Sequence, residues 1–218
     1  MSTVILTCET LSDHINAAQE KCNTNFPVIW LDRRLHVEPS HMRDHIIGKL
    51  SELSQEVDTV LVAMGFCGGS WQDVSCDKRL IIPRVDDCVT IAMTKTDIFN
   101  PCTKEPGHMY LFGHGGSGFS IKGIHDQLMD EHDPETAEFL FDSFFAHYSH
   151  LDIIDTGLYD CYSEEYVIQA QADADLINAD LGYVSGGNRI LEKLVTGCWD
   201  EQFLIVLPET KITQGLFF

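Results

Sequence analysis

The chain has 218 residues, of which 44% are hydrophobic, and its 14 basic and 34 acidic residues give a formal charge of −20 at pH 7. This composition is typical of a folded protein with a full core, and the acidic balance argues against nucleic-acid or anionic-membrane partners, since both need clustered Lys and Arg. No apolar run reaches the roughly 20 residues of a membrane-spanning helix, and residues 1–7 lack the basic start of a secretory signal. We therefore expect a cytoplasmic protein whose eight cysteines stay reduced.

The first hundred residues alternate between strand and helix patterns. Short β-branched apolar runs predict strands at 4–7, 28–31, 59–64 and 80–82. Apolar residues at helical spacing, with capping residues before them, predict helices at 11–21, 39–53 and 88–93. This order predicts a mainly parallel sheet with right-handed crossovers.

The second half of the chain repeats the theme less regularly. A strand at 108–112 is predicted inside a loop-rich segment, 100–123, and a helix at 135–148 carries an apolar stripe of Phe139, Leu140, Phe144 and Phe145. Further strands are predicted at 151–155, 182–184 and 203–208, the last one buried, with helices at 164–178 and 190–195. The predicted fold class is α/β with Rossmann-like layers: one domain over 1–218, with two similar halves, 1–105 and 106–218, around a cleft.

Cysteines follow three of the predicted strands. Cys8 comes directly after the first strand, Cys67 lies in the run GFCGGS after 59–64, and Cys88 ends the run PRVDDC after 80–82. His36 stands a few residues past the second strand. Because the ends of parallel strands line the ligand crevice of open α/β sheets, these four residues are candidate ligands for zinc or an iron–sulfur cluster. No CxxC pair supports this hypothesis, and the alternative is that the cysteines are buried and inert.

The same loops carry candidate groups for holding a small molecule. Gly65, Gly68 and Gly69 are predicted to bind a cofactor or the anionic part of a ligand through main-chain N–H groups. Arg84 is predicted to grip the same anion, and Asp87 to act as an acid or base. The alternative for one aspartate of the pair at 86–87 is capping of the helix that follows. The chain has no P-loop and no full GxGxxG after a strand with a following acidic residue.

Two features of the second half stay open. The glycine-rich stretch 113–118 is interpreted as a mobile surface loop or lid. Asp152 and Asp155 bracket the end of the strand at 151–155, and Tyr159 and Tyr162 follow them. This group is either a set of ligand contacts or turn chemistry.

The ordered motifs resemble a prokaryotic family catalogued as domain of unknown function 1638. The matching pieces are LH at 35–36 with Pro39 behind it, GFCG at 65–68, PRVDDC at 83–88, HY at 147–148, IDTG at 154–157, GCWD at 197–200 and Phe203. The resemblance covers most of the chain and implies a bacterial or archaeal cytoplasmic protein, often found beside corrinoid-dependent methyl-transfer systems. It names no reaction. No DxHxxG motif is present, so we do not expect the chain itself to hold a base-off corrinoid.

The leading hypothesis is a metal-dependent protein, such as a transferase, that uses zinc or an iron–sulfur cluster held by Cys67 and Cys88 with Cys8 or His36. Its ligand would be a small anionic, thiol or methylated molecule, and its protein partner a component of a corrinoid system. One alternative is a non-catalytic accessory protein that delivers a metal or cofactor. Another is a metal-free thiol enzyme whose nucleophile, Cys67, has a lowered pKa at a helix N-terminus.

Overall fold

The computed structural model describes residues 2–113 and 120–218, with the side chains of His36 and Val37 also left out. The chain forms two compact units, one of Met1–Thr103 with Gly187–Phe218 and one of Lys104–Gly186. The sequence predicts one domain over 1–218 with halves 1–105 and 106–218, and that division stays a prediction.

The described residues contain eight strands and seven α-helices in a mixed α/β arrangement. The strands are β1 Ser2–Cys8, β2 Val28–Leu31, β3 Val57–Ala63, β4 Arg79–Pro83, β5 His108–Leu111, β6 His150–Asp155, β7 Asp180–Ser185 and β8 Phe203–Val206. The helices are α1 Ser12–Cys22, α2 Pro39–Ser51, α3 Cys88–Met93, α4 Ile121–Glu131, α5 Pro134–Phe145, α6 Glu164–Leu176 and α7 Arg189–Thr196. None of these helices has the length and apolar character needed to cross a membrane.

The first unit is built on a five-stranded sheet in the order β2-β1-β3-β4-β8. The first four strands are parallel, and β8 runs antiparallel to β4. Ile5, Leu61 and Ile81 pair across the centre of the sheet and are almost fully buried, as expected where helices cover both faces. The prediction that 203–208 forms a buried strand is wrong in part: β8 is an edge strand that ends at Val206, and Ile205 and Leu207 are 52% and 62% exposed.

The second unit is built on a parallel three-stranded sheet in the order β5-β6-β7. The sequence prediction misses its helix α4, although Ile121, Ile124 and Leu128 stand at helical spacing and pack into the core of this unit. The segment predicted as loop-rich, 100–123, overlaps the first turn of this helix. The predicted apolar stripe of the next helix is half wrong. In α5 the buried residues are Ala137, Phe141 and Phe145, whereas Phe139 and Phe144 are 70% and 58% exposed.

Candidate functional site

The candidate site lies at the carboxyl edge of three adjacent strands in the first unit. Cys8 is the last residue of β1, Cys67 opens a 3₁₀ turn just after β3, and Cys88 is the first residue of α3, just after β4. The strand order makes β1, β3 and β4 neighbours, so the three thiols reach the same edge. His36 follows β2 in the turn Arg33–Val37, and its side chain lies outside the described part.

The two cysteine loops are fastened to each other through their main chains. The N–H groups of Phe66 and Cys67 donate to the carbonyls of Val85 and Asp86, at 2.9 and 2.6 Å. A Cβ on Gly65 would stand 2.7 Å from both the Cα and the N of Asp87. Gly65 is therefore required for this close approach, a structural reason that differs from the predicted cofactor contact.

Cys67 sits in an unusual backbone conformation. Its φ of +47° lies in the left-handed region, which non-glycine residues rarely adopt. Gly68 and Gly69 follow with φ of +65° and +98°. Residues held in this way cluster at functional sites, so the strain at Cys67 marks this turn as a candidate for binding or chemistry.

The pKa of each of the three thiols is raised. Burial is the largest cause for each: it holds the pKa of Cys67 well above its usual range, raises the pKa of Cys88 to about 12 and raises that of Cys8. The negative charge of Asp87 adds to the effect at Cys67 and Cys88, as does the charge that the neighbouring thiolates would carry. The Thr10 hydroxyl lowers the pKa of both Cys8 and Cys88, which places it beside both sulfurs.

These pKa directions bear on the hypothesis of a thiol enzyme. A nucleophilic cysteine needs a lowered pKa so that the thiolate is populated at neutral pH. At this edge the thiols are protonated at neutral pH because burial and neighbouring negative charge both disfavour the thiolate.

The two predicted catalytic residues hold the main chain in place. Asp87 caps α3, with Oδ1 accepting from the N–H groups of Val89 and Thr90, so the capping alternative is confirmed for this aspartate. Arg84 donates from Nε and Nη1 to the carbonyls of Leu216 and Glu201, and its guanidinium lies over the ring of Phe99. These contacts tie down loops, and the catalytic roles of both residues stay predictions.

The glycine turn offers less of an anion cradle than its sequence indicates. The N–H of Gly69 donates within the turn to the carbonyl of Phe66. The carbonyl of Gly69 accepts from Nη2 of Arg43, a residue of α2, at 2.9 Å. Sequence reasoning missed Arg43 because this contact joins residues 26 positions apart and leaves no local pattern.

The donor atoms of the site fit a soft metal, but their arrangement is not closed. Thiolate sulfur is a preferred ligand of zinc and of iron in clusters. Over the described side chains, however, no three His, Cys, Asp or Glu residues are grouped closely enough to hold a metal ion. All eight cysteines are free thiols.

Comparison with known proteins gives one match. A family model described as "Protein of unknown function (DUF1638)" matches residues 30–195, which include His36, Cys67 and Cys88. No curated protein and no solved structure matches the chain.

Proposed function

Since this chain belongs to the DUF1638 family of proteins of unknown function, we propose a function from its own residues: a cytoplasmic metalloprotein that binds zinc or an iron–sulfur cluster through Cys67 and Cys88. Cys8 or His36 would complete the ligand set. The family membership agrees with the resemblance read from the motifs, and it names no reaction. The proposal therefore depends on the chemistry of the strand-end edge.

The observation that carries the proposal is the meeting of three thiols at the ends of neighbouring strands. Cys8 is buried and Cys67 and Cys88 are half-buried. Placing several such groups that become negative on ionisation near each other is unfavourable, and the pKa values of Cys67 and Cys88 are raised accordingly. A bound cation reverses this balance because it stabilises each thiolate. Thiolates are soft ligands, which favour zinc or iron over magnesium or calcium.

Binding at this edge requires both proton release and movement. The thiols must lose their protons to become ligands, so metal affinity should rise steeply with pH. They must also move closer together, since the described side chains form no closed group. Cys67 is the residue placed to move, because relaxing its left-handed backbone would release strain.

The reaction proposed at this site involves a small thiol or methylated substrate. Zinc bound by thiolates would activate a thiol or a water, and a cluster would bind a small substrate or carry an electron. Arg43, whose guanidinium reaches the glycine turn, is a cation near the thiols for an anionic ligand group. A corrinoid-system protein is the proposed partner.

A second candidate function is metal or cofactor delivery by a non-catalytic accessory protein. The open arrangement of the thiols favours it, since a carrier must release its cargo to a partner and a closed four-ligand site holds metal tightly. The metal-free thiol enzyme receives no such support, because the pKa of Cys67 lies well above its usual range.

The test is metal analysis and visible absorption of protein purified without oxygen. Wild type is compared with Cys67→Ser/Cys88→Ser, which removes two thiols of the edge. The matched control is Cys102→Ser/Cys198→Ser, which removes two exposed thiols outside it. We expect near-stoichiometric zinc, or iron with sulfide and a brown colour, in wild type and control, and its loss in the edge variant.

The outcomes separate the proposals. Iron and sulfide would point to a cluster, and zinc to thiolate activation or hydrolysis. Metal that passes from the wild type to a stronger chelator within minutes would favour the delivery function. A folded wild type that stays metal-free after anaerobic incubation with zinc or with iron and sulfide would overturn the metal proposal, as would equal metal loss in the control variant.

A further inference from the structure

A second candidate site lies at the carboxyl edge of the three-stranded sheet. The middle strand, β6, ends at Asp155, and β5 beside it ends at Leu111, two residues before Gly113. The sequence from Gly113, GHGGSG at 113–118, has the G-x-G-x-x-G spacing. Contrary to the expectation from the sequence, a full GxGxxG pattern therefore follows a strand, and an acidic residue ends the next strand. Here two helices, α4 and α5, separate the glycines from Asp155, and the strand order still makes the two strand ends neighbours.

This topology is that of the nucleotide-binding half of a Rossmann fold, in which an acidic side chain at the end of the second strand binds the ribose hydroxyls. The likeness is one of strand order and spacing and carries no function by itself. Residues 114–119 lie outside the described part. The site is therefore argued from Asp155 and its described neighbours.

The carboxylate of Asp155 is held by hydrogen bonds and keeps an open acceptor position. Its Oδ1 accepts from the N–H of Gly157 at 3.1 Å, and its Oδ2 accepts from the hydroxyl of Tyr162 at 2.9 Å. The Cys161 thiol is a further, weak donor to this carboxylate, whose two oxygens offer about four acceptor positions, so one position stays open. Next to it, the hydroxyl oxygen of Thr156 is buried and has no hydrogen-bond partner among the described residues. A vicinal diol offers an O–H donor to the open position of the carboxylate and an acceptor to the hydroxyl of Thr156.

An open aromatic face stands beside the carboxylate. Tyr162 stacks on Tyr183, with ring centroids 4.9 Å apart and planes 16° from parallel. The two side chains are 61% and 41% exposed. Because one ring braces the other, Tyr162 presents a flat and immobilised surface, which suits stacking of a planar base.

Tyr159 ties the start of the glycine stretch to the end of β6. Its hydroxyl donates to the carbonyl of Ile154 at 2.5 Å. The same hydroxyl has a hydrogen bond with the backbone of Gly113. The first glycine and Asp155 therefore belong to one connected edge.

The surrounding charge decides which nucleoside ligand fits. Residues 104–186 hold two lysines, no arginine and sixteen acidic residues, a formal charge of −14 out of the chain's −20. At the start of α4, where such folds bind phosphate, the N–H of Lys122 already donates to the buried carboxylate of Asp173 at 2.9 Å. A phosphate would meet negative charge there, whereas a neutral or positively charged ligand would not.

We propose that the second unit binds a phosphate-free ribonucleoside group, neutral or cationic, with its ribose diol on Asp155 and Thr156 and its base on Tyr162. This site is separate from the thiol edge and does not depend on the metal proposal.

The test is calorimetric titration of the wild-type protein with five probes. Adenosine and S-adenosylmethionine, a cationic nucleoside, should bind. The 2′-deoxy form of adenosine should bind at least tenfold more weakly because it lacks the diol. AMP and NAD should bind at least tenfold more weakly than adenosine because they carry phosphate.

Variants assign the contacts. Asp155→Asn and Tyr162→Ala should each weaken adenosine binding at least tenfold, whereas Tyr162→Phe keeps the stacked ring and should lose less. Asp142→Asn removes an exposed carboxylate on α5 and should bind like wild type. Circular dichroism of each variant confirms that it is folded. Deoxyadenosine binding as tightly as adenosine would overturn the assignment of Asp155 to the diol. Equal binding of AMP would overturn the phosphate-free class, and no binding of any probe at millimolar concentration would overturn the site.

Discussion

At the five-stranded sheet, the ends of β1, β3 and β4 place three thiols at one edge, and burial and nearby negative charge raise the pKa of each. At the three-stranded sheet, the equivalent edge carries the carboxylate of Asp155 and two exposed, stacked tyrosines. The second unit also carries more negative charge than the first, with a formal charge of −14 against −6. In both units the proposed site lies at the carboxyl ends of parallel strands, and the loop residues differ in the chemistry they offer: thiols in the first unit, a carboxylate and aromatic rings in the second.

The chain carries its own reporters for this comparison. All three tryptophans lie in the first unit and all six tyrosines lie in the second. Tryptophan fluorescence therefore follows the first unit and tyrosine near-UV signals follow the second. The predictions below use this separation.

The largest expected effect is on thiol reactivity. At pH 7.5, Cys67 and Cys88 should react with iodoacetamide about a hundredfold more slowly than the exposed Cys102 and Cys198, since the pKa of Cys88 is raised to about 12 and that of Cys67 lies well above its usual range. Mass spectrometry of a labelling time course measures the rates. If Cys67 is labelled as fast as Cys198, the first edge holds a reactive thiolate, and the thiol-enzyme hypothesis gains over the metal site.

The next prediction is that the free energy of unfolding of the first unit falls at acidic pH. Burial lowers the pKa of His14 in α1 to about 4, so as pH falls the unfolded chain takes up this proton near pH 6.5, before the folded chain does. The stability from neutral, buried His14 is present above pH 6.5 and lost as pH falls to 4, a loss of about 3 kcal/mol. Urea titrations followed by tryptophan fluorescence measure it. The variant His14→Met should show a flatter dependence over the same pH range, and an unchanged slope would assign the loss to other groups.

Gly65→Ala should destabilise the first unit by about 2–3 kcal/mol, because the added Cβ meets backbone atoms of the facing loop that have little freedom to move. Gly48→Ala is the matched control. It lies inside α2 with nothing within 4 Å of a Cβ, and should stabilise the protein by about 0.5–1 kcal/mol. Equal effects of the two substitutions on the tryptophan transition would show that the cysteine loops are not locked together.

The smallest effect should come from Gly182→Ala in the second unit, at about 1 kcal/mol. Its Cβ would collide with Oδ1 of Asp152, whose Oδ2 contacts Nδ1 of His108 at 2.6 Å. The cost is lower than at Gly65 because a side-chain oxygen can rotate away. Unfolding transitions followed by the near-UV circular dichroism of the tyrosines should measure the loss of stability in the second unit. In an Asp152→Ala background the substitution should cost nothing, and a cost that persists would assign the strain to the backbone.

Much of the fold follows from local patterns in the sequence. The strands β1, β3, β4 and β6 were predicted within a few residues, because buried parallel strands are continuous apolar runs between turn residues. The more exposed strands β2 and β7 and the short helix α3 were predicted as closely. Helix α4 was missed because the segment predicted as loop-rich, 100–123, overlaps its first turn. The main-chain contacts of Arg84 and Arg43 were missed because they join residues far apart in the chain.

The sequence by itself determined which residues stand at strand ends: Cys8, Cys67 and Cys88 in the first unit and Asp155 in the second. Turn residues and apolar runs are local features, so a strand end can be located without knowing its neighbours. Only the tertiary structure decided which strand ends are adjacent, because strand order depends on pairing between distant segments. It also decided the protonation of the thiols, since a pKa depends on burial and on nearby charges, which are properties of the packed molecule.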